Sequence, residues 1–512
     1  MPQKRTTLIV GCLVILFITV PYLYAFQTGT AEYEFGGFLV NPIDGHSYLA
    51  KMQQGYQENW KFVLPYTAEP GEGAYLFLFY IFLGQLSRII DLPLITVFHS
   101  ARVICAIFLL WTLNKYFKYT FDNEGDQTLG FSIAALGSGL GWIGVIFGKF
   151  TSDFWVAEAY SFLSMYTNPH FSLGLGLMIL ALIPREQNRY YINLGLGLAL
   201  GIVLPFAVVI VVLVLGILAG LDLYKSKEDL FSKIKDSNQI RKLLSVGIGG
   251  GIILIYQYWA IITDPVLSIW NRQNITKSPE VIDLIISLSP CLILALLGLA
   301  DSWRSVEGKT IVIWFVVSLA LVFIPWNLQR RFLTGIFIPL AGLSVFGIEV
   351  LIRKSKLNTK TITAILFCLI LPTNLIVILS GIQAIDSHDS QIFISSQIME
   401  SLKWLEKNTP RDSLVLASEK NGLYIPSISG RKVLYGHPFE TVNGDREREY
   451  IERIFAGDYS PAGTEMLLME REFDFVLTDD ESNESFIDLM TELNYPLVFS
   501  EGSVGIYQIT QP

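Results

Sequence analysis

Long apolar stretches recur along this chain, separated by short polar segments, until about residue 384, where the pattern changes. A membrane span needs about 20 mostly apolar residues. Eleven runs meet or approach that length: 8–26, 95–114, 128–148, 170–184, 191–204, 206–224, 243–263, 283–300, 310–325, 332–352 and 361–383. Pro205 divides 191–224 into two short crossings. A twelfth run, 74–90, is settled by charge. If it lies along the surface rather than crossing, the loops on the side of residue 1 hold 18 Lys and Arg, against 8 on the other face of the membrane body. That excess is expected on the inside. Were 74–90 to cross, every later loop would change sides, and "YKSKEDLFSKIKDSNQIRK" would face outward. The expected topology therefore has eleven crossings, with 74–90 a juxtamembrane or re-entrant helix on the outer face. The basic start and 19-residue apolar run of "MPQKRTTLIVGCLVILFITVPYLYAF" are read as an uncleaved first span with the N-terminus inside.

After the last apolar run the period shortens. "SLVLAS", "RKVLYG", "FDFVLTD" and "YPLVFS" read as strands, and "SSQIMESLKWLEKNT", "DREREYIERIF" and "ESFIDLMTEL" as helices between them. Alternating strands and helices imply a small α/β layer domain. The expected fold class is thus a polytopic α-helical membrane protein of about 11 spans, residues 1–384, with a soluble extracytoplasmic α/β domain, 385–512. Residues 27–94 form a first outer loop with juxtamembrane helices.

Composition agrees with this layout. The 512 residues are 52% hydrophobic and 16% charged, with a mean hydropathy of +0.46. The net charge of −9 divides into −13 over residues 385–512 and +4 over the rest. A basic membrane body with an acidic tail excludes nucleic acid as a partner. Cys12, Cys105, Cys291 and Cys368 all lie in apolar runs, without metal-binding spacing. The tail carries no phosphate-binding glycine cluster and no visible catalytic constellation.

Chemistry-bearing residues gather in the expected outer loops. In "NPIDGHSYLAKMQQG", Asp44 opens a helix with Tyr48, Leu49, Met52 and Tyr56 at helical spacing. It suits an N-cap, and equally a general base whose pKa is raised at a low-dielectric boundary. His46 and Lys51 share that helix as candidate substrate contacts. Glu69 and Glu72, in "YTAEPGEGAY", either bind substrate hydroxyls or solvate a Gly/Pro loop. The second loop, "KFTSDFWVAEAYSFLSMYTNPHF", adds Asp153, Glu158, Asn168 and His170, with Asn168-Pro169 a natural helix start. In "PWNLQRRFLTGIFIPL", Arg330 and Arg331 stand on the outer face against the charge bias. Their planar forks suit a phosphate, and their stems suit snorkelling to the headgroups.

These features together resemble the C-type (GT-C) membrane glycosyltransferases, in particular bacterial relatives of the protein mannosyltransferase and aminoarabinose transferase group. The resemblance rests on Asp44 in the first loop after span one, the amphipathic segments 45–56 and 74–90, and "QRRFLTGIFIPL". "NPHFSLGLGL" and "WLEKNTPRDSLVLAS" add to it. It implies a polyprenyl-phosphate-linked sugar donor and an acceptor glycan, lipid or protein outside the cytoplasmic membrane. It also implies transfer with inversion, Asp44 as the first-loop acid that activates the acceptor, and Arg330 or Arg331 on the donor phosphate. Gly45 follows Asp44 where the commoner family pattern has a second acid, so no metal or other cofactor is assigned. A transporter or flippase, or a non-catalytic binder of a lipid-linked sugar, shares the layout. The spans are nearly free of ionisable residues, Arg102 being the main exception, and that distribution favours an interfacial enzyme.

Overall fold

The computed structural model describes residues 3–184, 189–224, 237–355, 358–480 and 482–509. The protein is a multi-pass, mostly helical membrane protein with a mixed sheet in its C-terminal part. Every one of the eleven apolar runs is helical. Among the described residues six helices are long and apolar enough to cross alone: Arg5–Gln27, Leu94–Thr120, Glu124–Ile146, Pro205–Tyr224, Asn238–Thr263 and Thr359–Asp386. A seventh candidate is the pair Val281–Leu288 and Cys291–Ser302, bent by 80° at a break holding Pro290. The sequence reading took this pair as one straight span. Proline removes a backbone donor and clashes with the preceding turn, which ends the first helix there. Pro169–Leu182 and Tyr190–Val203 have 14 residues each, and Val306–Val322 has 17. Phe337–Lys354 carries Glu349, Arg353 and Lys354 in its last turns. The run 74–90 contains the 13-residue helix Leu78–Ile90. Much of the charge in the loop 225–242 lies on 225–236, and that of 185–190 includes 185–188. Both stretches fall outside the described residues.

The chain packs as two compact units. The first comprises Met1–Pro21, His99–Tyr256 and Thr276–Gln383, and the second Tyr22–Phe98, Gln257–Ile275 and Ala384–Pro512. In the first unit, Arg102 is buried and donates to the carbonyls of Ile18, Met165 and Tyr166. The strongly polar intruder noted in the spans thus satisfies the last-turn carbonyls of helix Ser161–Thr167 and adds a bond to the carbonyl of Ile18 within helix Gln3–Gln27.

The second unit joins distant parts of the sequence. Strand β1 (Tyr33–Phe35) pairs antiparallel with β2 (Phe393–Ser395), with Phe35 opposite Phe393. A five-stranded sheet follows from β3 (Leu414–Leu416), β4 (Lys432–Val433), β5 (Phe475–Thr478), β6 (Leu497–Glu501) and β7 (Val504–Gln508), in the order β4-β3-β5-β7-β6. β3 runs parallel to β4 and β5, and β7 antiparallel to β5 and β6. Alternation along the strands sends Val415, Phe475 and Leu477 into a core with helices Ser396–Asn408 and Glu419–Ile428. It sends Leu414, Leu416 and Val476 into a second core with Gly444–Phe455, Pro461–Glu470 and Glu484–Glu492. Both faces of the sheet are covered, as continuous apolar strands require. The first core also holds Ala50 and Tyr66 from the first-loop segment.

Within this unit, helix Pro42–Tyr56 crosses Leu78–Ile90 at a glycine contact. A Cβ on Gly55 would strike the carbonyl of Ile81, and one on Gly84 that of Met52. The two backbones approach as closely as they do because neither position has a side chain. That contact fixes the helix carrying Asp44.

Candidate functional site

Helix Pro42–Tyr56 starts at Asn41, in the left-handed region at φ 48°, a conformation asparagine tolerates better than most residues. Asn41, not Asp44, is therefore the N-cap: its side-chain oxygen accepts from the Asp44 N–H at 3.3 Å. Its amide donates to Asp44 Oδ2 at 2.6 Å. Asp44 stands at the third helical position with its side chain 41% exposed. Asp44 Oδ1 lies 3.6 Å from His437 Nε2.

One turn further in, the helix becomes fully enclosed. His46 is buried against Phe38 and Tyr424, with Nδ1 3.0 Å from Ser427 Oγ. Burial pushes its pKa down to about 3, so the ring is neutral. Lys51 is 0% exposed, and its ammonium donates to Glu440 Oε1 at 2.7 Å and to Ser47 Oγ. It also lies over the Phe77 ring at 4.6 Å. Burial works against the charge on Glu440, but Lys51 beside it, with Ser47, holds the carboxyl below the usual glutamate range. His46 and Lys51, both candidate substrate contacts by sequence, are spent on packing and on a buried ion pair. Glu69 is exposed in its Gly/Pro loop.

The residues that complete this cluster, His437 and Glu440, lie in "GHPFE", a turn just after β4 in the region where the sequence showed no constellation. The readable signal was positional: loops beyond the ends of parallel strands are where such sheets present ligand groups.

In the first unit, segment 149–160 folds as two 3₁₀ turns, Ser152–Phe154 and Ala157–Ala159. Asp153 is fully buried. Its carboxylate accepts from Thr151 Oγ1 at 2.6 Å and from the N–H groups of Gly139 and Gly141 at 3.1 and 3.0 Å. A Cβ at Gly141 would collide with that carboxylate. Burial raises its pKa, and the hydrogen bonds from Thr151 and Gly141 oppose the rise. Asp153 thus ties its loop to the glycine-rich break at 137–141. Asn168 is buried at the start of Pro169–Leu182, and His170, partly buried, packs on Phe171 at 4.0 Å between centroids.

Glu158 has another role. It accepts from Arg331 at 3.1 Å, with Glu158 buried and Arg331 28% exposed. Arg330 lies over the Trp155 ring at 4.9 Å. Both arginines sit on the 3₁₀ turn Gln329–Leu333, pinned on either side. Arg330 N–H donates to the Thr276 carbonyl, and the Gly335 N–H to that of Glu158. Two planar cations with fixed bases and partly open faces are suited to an anion such as a phosphate.

No protein-family model and no curated protein matches the sequence. Solved structures do. The oligosaccharyltransferase of Archaeoglobus fulgidus in complex with zinc and sulfate superposes with a TM-score of 0.56 at 12% identity, over 95% of this chain and 69% of that one. The same archaeal enzyme, AglB, in complex with an inhibitory peptide and a dolichol-phosphate gives 0.53 at 11% identity, over 93% and 69%. A looser similarity, 0.47 at 11% identity over 97% of both chains, relates it to ArnT from Cupriavidus metallidurans. The fold is that of the C-type membrane glycosyltransferases. Among the described residues no three His, Cys, Asp or Glu side chains gather as a metal centre.

Proposed function

We propose that this chain is a glycosyltransferase that moves a sugar from a polyprenyl-phosphate donor to a hydroxyl-bearing acceptor outside the cytoplasmic membrane. The observation that carries the reading is the shared fold with an oligosaccharyltransferase solved with a dolichol-phosphate. The charge distribution supports eleven crossings with residue 1 inside and the sheet-bearing part outside. Asp44 is the general base. Its carboxylate takes the acceptor hydroxyl proton, the oxygen attacks the anomeric carbon, and the bond from that carbon to the lipid phosphate oxygen breaks. The phosphate leaves with the electron pair, and Arg330 and Arg331 neutralise it. A single displacement inverts the anomeric centre. Supporting these roles, the Asp44 side chain is 41% exposed, and Glu158 and Trp155 hold the arginines in place.

The test uses membranes containing polyprenyl-phosphate-linked radiolabelled hexose. Asp44→Asn is expected to lower transfer by at least about 100-fold, the usual worth of a positioned base. Arg331→Ala is expected to lower it about tenfold or more through lost charge stabilisation. Wild-type rates in both variants would remove the assigned roles. Movement of the lipid-linked sugar across the bilayer without transfer would make the protein a flippase instead.

A further inference from the structure

His437 and Glu440, from the turn after β4, take no part in the reaction as drawn, yet they stand beside its proposed base. The His437 ring is 2% exposed, and its Nδ1 accepts two backbone N–H groups, those of Phe439 and Glu440, each at 3.1 Å. A nitrogen that accepts cannot carry the proton, so the neutral ring has it on Nε2. Nε2 is buried, and among the described residues it has no hydrogen-bond partner within range. A buried donor in that state calls for an acceptor close by. Asp44 Oδ1 stands 3.6 Å away, one small side-chain rotation beyond a hydrogen bond.

We propose that His437 is a positioning residue for Asp44. Its Nε2–H closes onto Oδ1 while the Asn41 amide holds Oδ2, so that the carboxylate is clamped between two neutral donors with its open face toward the acceptor. This deepens the glycosyltransferase reading and rests on it. The surrounding charges fit the role. A lysine against Asp44 would lower its basicity, but Lys51, on the same helix, is drawn off by Glu440 and Ser47. Asn41 and His437 face Asp44, and Asp44, Glu440 and the Tyr66 ring at 5.5 Å lie around His437.

Two measurements test it on the full-length protein. In bilayers with ring-¹⁵N histidine, the chain's five histidines give few signals. The signal missing in His437→Gln identifies the ring. At neutral pH its Nδ1 should be unprotonated and its Nε2 protonated, with Asp44→Asn shifting Nε2 alone. A proton on Nδ1, or an Nε2 indifferent to Asp44→Asn, overturns the pairing whatever the protein's activity. In the hexose-transfer assay, His437→Phe should move the acidic limb of the pH–rate profile up by about one unit, a tenfold lower rate at the acidic end. His437→Gln, which keeps a neutral N–H at the same reach, should restore the limb. A uniform loss without a pH shift, or no rescue by glutamine, makes His437 a packing residue only. The ring signature in a protein that transfers no sugar would sink the functional reading and leave the pairing standing.

Discussion

Lys51 with Glu440 and Arg331 with Glu158 are two ion pairs of the same composition class in two different units of the chain. The first is closed: Lys51 is wholly buried, its ammonium taken up by a carboxylate, a hydroxyl and an aromatic face. The second is half open: the glutamate is buried, and part of the guanidinium reaches the surface. A buried pair holds structure together and has no charge left to offer a ligand. A pair with its anion inside and its cation at the rim fixes the cation's base and keeps part of the guanidinium exposed. The chemistry of the cation matters too. An ammonium is a point charge that one acid neutralises, whereas the fork of an arginine serves two partners at once.

The contrast predicts opposite responses. Lys51→Met strands Glu440 in the interior and should cost on the order of 3–5 kcal/mol of stability, read as a large fall in thermal unfolding temperature in detergent. The double variant Lys51→Met with Glu440→Leu should recover most of it, because no unpaired charge remains. An unchanged melting point in the single variant would break the comparison.

Next in size is the acid sensitivity of the buried helix. His46 is neutral in the fold, with its pKa near 3 against 6.5 when unfolded. As pH falls below 6.5 the unfolded state takes up a proton the folded state refuses. Stability should therefore drop by about 1.4 kcal/mol per pH unit, or about 2 kcal/mol by pH 5. His46→Phe should flatten that slope. Glu440 acts in a lower window: its depressed pKa gives a contribution that is present above about 4.5 and is lost as pH falls further. Between pH 7 and 5, the difference between the wild-type and His46→Phe melting curves thus reports on His46.

The smallest effects belong to the open pair. Arg331→Lys should keep the fold and lower transfer about tenfold, since a point charge replaces a bidentate one. Glu158→Gln should destabilise by about 1 kcal/mol and lower transfer less than Arg331→Lys does. Equal activity of the arginine and lysine forms would reduce Arg331 to a lipid-facing cation.

The helical part of the fold was legible because membrane solvent imposes one rule, that backbone polar groups be satisfied within the segment, and apolar length records it. The break at Pro290 was present in the letters but overlooked within an unbroken apolar run. Strands β3, β4, β5 and β6 were readable from β-branched and aromatic clusters, whereas β2, next to the helical run at 395, was not. β7, in "EGSVGIYQIT", was missed because two glycines and a serine dilute its pattern. The candidate residues were legible only in part. Asp44, Arg330, Arg331 and Glu158 stood out as charges near apolar edges. Nothing local in "GHPFE" says that His437 and Glu440 meet a helix some 390 residues earlier, because such pairings are set by tertiary packing. Asp153 read as chemistry for the same reason in reverse: besides Thr151, its partners include the backbone N–H groups of Gly139 and Gly141, which leave no mark in the letters.

The pairing of β1 with β2, and of His46 with Ser427 across 381 positions, has a consequence for biosynthesis. A nascent chain presents its first-loop helix long before the ribosome has made the partners that neutralise Lys51 and seat His46. Through that interval the helix has an uncompensated ammonium and an imidazole that cannot settle into its apolar berth. The surroundings of the acid at position 44 are therefore completed only once residues 427–440 have been made. A polypeptide cut short before residue 440 would remain visibly unfinished to any protease that surveys the membrane.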